Sequence, residues 1–79
     1  MSSEFDPFHV IRGGVLYELQ KEPEGGYTIS VPALPGCVSI GDTFEEALLM
    51  IADAMEGWLA VARDEGYPIP AQFELLQAS

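Results

Sequence analysis

Between Val15 and Val31 the apolar positions fall two residues apart. Val15, Tyr17 and Leu19 share one side of an extended chain, with Leu16, Glu18 and Gln20 on the other. Tyr27, Ile29 and Val31 repeat the pattern against Thr28 and Ser30. Such alternation predicts strands with one face toward a core, over residues 15–22 and 27–31. The intervening PEGG, residues 23–26, is a hairpin turn with glycines able to take positive φ. Residues 8–12 read ambiguously, and Gly13–Gly14 interrupt the chain before the first predicted strand. Pro32 and Pro35 cannot donate to a sheet ladder; they mark a corner, with Gly36 relieving the backbone. A short third strand follows over residues 37–40, and Gly41 ends it.

Beyond Gly41 the period changes. Phe44, Leu48, Ile51, Met55, Trp58 and Ala62 recur at spacings of four and three, widened by Ala47 and Leu59. That is the stripe of an amphipathic helix. Thr43 is its N-cap, and Glu46, three residues on, completes a capping box. Asp42, Glu45 and Glu46 set negative charge at the positive end of the helix dipole. Gly66 follows the last turn, and Pro68 and Pro70 forbid continuation. Residues 71–76, AQFELL, are predicted as a last short strand returning to the sheet edge. The fold class expected is therefore α+β: a small antiparallel sheet in β-β-β-α-β order with one helix packed on one face. Residues 1–14 are expected to form an N-terminal arm leading into the first strand, residues 15–76 a single domain, and residues 77–79 a tail.

Size and charge narrow the function. A chain of 79 residues has room for one domain, and its thin core favours self-association into a dimer or higher oligomer. Three basic and 13 acidic residues give a net charge of −10. Phosphate backbones are bound largely through Lys and Arg, so direct nucleic-acid binding is not expected. A basic protein surface fits the charge better, with ordinary solubility as the plain alternative. The one cysteine, Cys37, excludes an internal disulfide or a Cys-rich zinc site. There is neither a signal-peptide pattern nor an apolar run that spans a membrane, and a cytoplasmic location is expected.

Catalytic readings are poorly supplied. His9 is the only histidine and has no partner at metal-ligand spacing, so it reads as an incidental strand-end residue. No cation near Cys37 in sequence would activate its thiol, which reads as a small packing residue. A metal nuclease needs acids converging from strands and helix ends. Here Glu45, Glu46, Asp53, Glu56 and Asp64 fall away from the apolar stripe, and Glu18 is the acid within the alternating run of the first predicted strand. Gly13–Gly14 and Gly25–Gly26 precede no helix and read as turns, not phosphate loops. Leu49, Met50 and Val61 lie outside the main stripe. Apolar residues on an otherwise acidic helix suggest a contact surface.

The run YTISVPALPGC (residues 27–37), the GDTFEEAL that opens the helix (41–48) and the EGYPIP that follows it (65–70) together resemble the HicB family of antitoxins. The resemblance covers about residues 15–70, with Ala33 standing where an Asp is common. It implies a truncated RNase H-like fold without catalysis, no cofactor and no metal. It also implies a partner: a HicA-type toxin that cuts mRNA and is masked by the antitoxin. Many family members add a C-terminal DNA-binding domain, which is not expected here. Pro32, Pro35, Gly36, Cys37, Gly41, Asp42 and Thr43 are then structural residues of the motif. Glu45, Glu46, Leu49, Met50, Asp53 and Glu56 are the candidate partner-binding residues, the acids for charge complementarity and Leu49 and Met50 for apolar contact. Two other readings remain open at this point: a solitary homo-oligomeric interaction module without a toxin, and an RNase H-like metal nuclease.

Overall fold

The computed structural model describes residues 4–73. Four strands, β1 (Phe8–Arg12), β2 (Val15–Lys21), β3 (Tyr27–Ser30) and β4 (Val38–Gly41), precede one long helix, α1 (Phe44–Glu65). The strands form one antiparallel sheet in the order β1-β2-β3-β4. The expected class, a small antiparallel sheet with a single helix on it, is the class observed. The element order is not. The fourth strand comes from residues 8–12, before the helix, and pairs Phe8 with Leu19 and Arg12 with Val15. Its ambiguous pattern has a physical reason: on an edge strand both sides of the ribbon are wet, and only Val10 is even half-buried. The strand expected over residues 71–76 is also corrected. Ala71–Phe73 is a turn of 3-10 helix, and residues 74–76 lie outside the described residues. Phe73 N–H donates to the Pro70 carbonyl at 3.0 Å, which closes the 3-10 turn in place of a ladder bond.

Register carries the alternation of each strand into a common face. Leu19 pairs with Ile29, and Val15, Tyr17, Leu19, Ile29 and Val31 are all buried beneath the helix side of the sheet. Ala47, Ile51, Met55, Leu59 and Ala62 supply the buried side of α1. Phe44, Leu48 and Trp58, expected in the stripe, flank it at partial burial. α1 stands chiefly over β4 and β3, and Phe73 closes the core fully buried. The ring of Tyr27 meets Phe44 edge-on at 6.2 Å between centroids, which fixes the first turn of the helix to the start of β3.

Candidate functional site

The proline corner is a double turn. Leu34 N–H donates to the Val31 carbonyl at 2.9 Å, and Cys37 N–H donates to the Leu34 carbonyl at 3.0 Å. Pro32 and Pro35 therefore occupy the second position of two successive β-turns, where a fixed φ near −65° is favourable. Gly36, at φ 82°, takes the third position of the second turn, which requires positive φ. Val31 N–H then donates to the Cys37 carbonyl at 3.0 Å and closes the corner. The effect is to drive Leu34 inward, fully buried, while Trp58 Nε1 of the helix donates to the Pro35 carbonyl at 2.9 Å. Leu34 and the Trp58 anchor were not legible in the sequence. One apolar residue between two turn prolines is the signal that points to Leu34.

Cys37 is buried and in the core cluster. Burial pushes its thiol pKa up, the opposite of what a nucleophile needs. Burial likewise raises the Tyr17 phenol, with Arg12 partly opposing and Cys37 adding to the rise. At the end of β4, Gly41 touches the helix backbone. A Cβ there would run into Ala47 N and lie 2.6 Å from Ala47 Cα, so only glycine lets the helix start so close to the sheet. Thr43 caps that start: its side chain accepts from Glu46 N–H at 3.0 Å. The reciprocal half of the expected box is shifted by one residue, because Glu46 Oε1 accepts from Asp42 N–H at 3.2 Å. At the far end Gly66, in the left-handed region at φ 74°, and Tyr67 both direct N–H groups to the Ala62 carbonyl.

The candidate partner-binding residues do not form one patch. Successive helical residues are turned by about 100°, which separates Leu49 from Met50. Glu45, Leu49, Asp53 and Glu56 are all exposed and follow one another at helical spacings of four, four and three, as one ridge. Leu49, 73% exposed, borders a shallow groove with Arg12, Tyr17 and Glu45. Met50 instead lies on the β4 side, beside Ile40 and Gly41. Glu46 is engaged in the cap. His9, on the opposite face of the sheet, contacts Glu18 at 3.1 Å, both half-exposed. Among the described residues no group of three His, Cys, Asp or Glu side chains could hold a metal ion, and no helix is long and apolar enough to cross a membrane.

The class defined in this way is a small α+β domain whose exposed chemistry is acidic and apolar. The family follows from comparison with known proteins. The model described as HicB_like antitoxin of bacterial toxin-antitoxin system matches residues 16–79, and the chain belongs to that family. It is by family a non-catalytic antitoxin domain. A UPF0150 protein of Synechocystis sp. is 44% identical over 54 residues, 68% of each chain. A UPF0150 protein of Thermoplasma acidophilum is 36% identical over 66% of this chain and 75% of its own. One from Helicobacter pylori is 49% identical over 49% of this chain and 54% of its own. No solved structure matches the chain.

Proposed function

We propose that this domain binds a HicA-type, mRNA-cleaving toxin and masks its active surface by contact alone. The observation that carries the reading is the ridge Glu45–Leu49–Asp53–Glu56, which places three acids around one exposed leucine on the open side of the helix. A ribonuclease must present cations to its RNA. A rigid acidic ridge competes for those cations, and an apolar centre adds water-excluding contact that slows dissociation. The double turn, Gly41 and the Thr43 cap then act as scaffold, holding the ridge at a set angle to the sheet. Since the toxin acts on mRNA, the complex belongs in the cytoplasm.

The test is reconstitution. A HicA-type toxin encoded beside this chain is mixed with it, and RNA cleavage is followed. The expected result is a tight complex with cleavage silenced, and no cleavage by this chain alone with Mg²⁺ or Mn²⁺. Failure of the wild-type chain to bind the toxin would sink the antitoxin reading and leave the solitary interaction module in its place.

A further inference from the structure

β4 ends the sheet, and its outer side pairs with no strand among the described residues. Natural edge strands are blunted by lysine, proline or an inward charge; Val38–Gly41, VSIG, has none of them. The Cys37 carbonyl faces β3, where it accepts from Val31 N–H. Backbone groups address alternate sides along a strand, so Ser39 and Gly41 face β3 in turn. The N–H and C=O of Val38 and of Ile40 therefore point outward. Their side chains are open as well, Val38 at 53% and Ile40 at 68% exposure.

The helix flank above this edge carries no charge. Met50, Ala54, Gly57 and Val61 follow at spacings of four, three and four. Ala54, Gly57, Trp58 and Val61 wall a cleft of about 440 Å³ whose other side is Pro35 to Val38. Met50 and Ile40 continue the apolar surface toward Gly41.

We propose that this edge pairs with the same edge of a second copy, antiparallel, about a two-fold axis at Ser39. Charge selects the occupant. Two chains of net charge −10 repel wherever acids face each other, and this strip is free of acids over its middle. Its acids gather at one end, where Glu22, Glu24, Asp42 and Glu46 surround Gly41. Antiparallel pairing sets that end against the uncharged Pro35–Cys37 end of the other copy; parallel pairing would stack acid on acid. In the antiparallel arrangement Val38 lies opposite Ile40 of the partner subunit. The outward backbone groups of each satisfy the other, with β-branched side chains paired across the seam. The two helix flanks meet on the same side of the joined sheet. The acidic ridge lies on the opposite flank of α1, so a basic partner and a second copy do not compete. This pairing does not depend on the toxin reading.

The test is sedimentation of the purified chain, with no partner protein, across micromolar concentrations. The expected species has twice the 8.6 kDa of the monomer. The double variant Val38→Lys/Ile40→Lys should sediment as a monomer with its circular dichroism unchanged, since both side chains are exposed. A covalent probe checks register. Ser39 would face itself across the axis as a non-hydrogen-bonded pair, with Cα atoms about 4.5 Å apart, within reach of a disulfide. Ser39→Cys in a Cys37→Ala background should oxidise to a covalent dimer, while Ile11→Cys in the same background, on the other edge strand, should not. A wild-type chain that stays monomeric overturns the proposal. So does a lysine variant that remains dimeric, or cross-linking through Ile11→Cys in place of Ser39→Cys. A monomer that accepts a strand from a basic partner at β4 assigns the edge to that partner and overturns it too.

Discussion

Gly41 decides how closely helix and sheet approach. Its φ is not in the left-handed region, so the need for glycine comes from space and not from backbone freedom: the missing Cβ is replaced by the backbone of Ala47. Neighbouring backbone cannot swing aside as a flexible side chain can. Gly41→Ala should therefore cost about 3 kcal/mol or more, at or above the top of the overpacking range, as read by urea unfolding. A loss under about 0.5 kcal/mol, the scale of an ordinary surface change, would show that the helix start is not seated on β4. Cys37 makes a second residue-scale prediction. Its thiol pKa is raised in the fold from an ordinary 9.0. The folded state thus holds its proton more tightly than the unfolded chain does. That contribution is complete below pH 9.0 and is lost as pH rises through the raised value, with the Tyr17 phenol following the same sign above 10.0. Thermal melts should be level across neutral pH and fall above about pH 9. Cys37→Ala should make that fall shallower; an unchanged slope would mean the thiol ionises freely in the fold.

At the scale of the element, α1 divides its labour by face. The cap sets its start. Thr43→Ala removes the acceptor of Glu46 N–H and should cost about 0.5–2 kcal/mol, with partner binding falling only in proportion to folding. Stability unchanged with binding abolished would make Thr43 a contact residue. The ridge makes the reverse prediction. Asp53→Lys with Glu56→Lys should leave the melting temperature nearly unmoved, because both are exposed and stand away from the helix ends, yet slow association with a basic toxin. Leu49→Asp should instead speed dissociation, since it places a charge in the apolar centre of the contact. Surface plasmon resonance separates the two rates. Toxin inhibition left intact by both variants would move the binding surface off this side of the helix.

For the whole molecule the dominant number is the net charge of −10. Attraction between an acidic antitoxin and a basic toxin is steered over distances comparable with the Debye length, about 8 Å at physiological ionic strength. The association rate should fall steeply between low and physiological salt, while dissociation changes little. A salt-independent association rate would mean that the acids serve solubility alone. The charge is also distributed. The ridge and the hairpin end carry acids, whereas the β4 strip does not, which gives one small domain two surfaces of different chemistry.

The sequence alone determined what depends on neighbours along the chain. Alternation gave β2 and β3, the shift of period and the Thr43 cap gave α1, and the YTISVPALPGC and GDTFEEAL runs carried the family. These are local: hairpin register, capping and helical periodicity involve residues a few positions apart, and each leaves a pattern in order. Tertiary structure decided the rest. Phe8–Arg12 became a strand because β2 offered an edge to it, not because its own pattern was strong. Leu34 became core because two turns aimed it inward, at a corner that Trp58 ties to the helix through Pro35, 23 positions away in sequence. Gly41 proved indispensable only when the helix was seen to return onto it. Leu49 and Met50, adjacent in sequence, parted to opposite flanks because a helix turns about 100° per residue and rests chiefly on β3 and β4. Which face of a helix is free is a property of what lies beneath it, and one-dimensional order does not contain that.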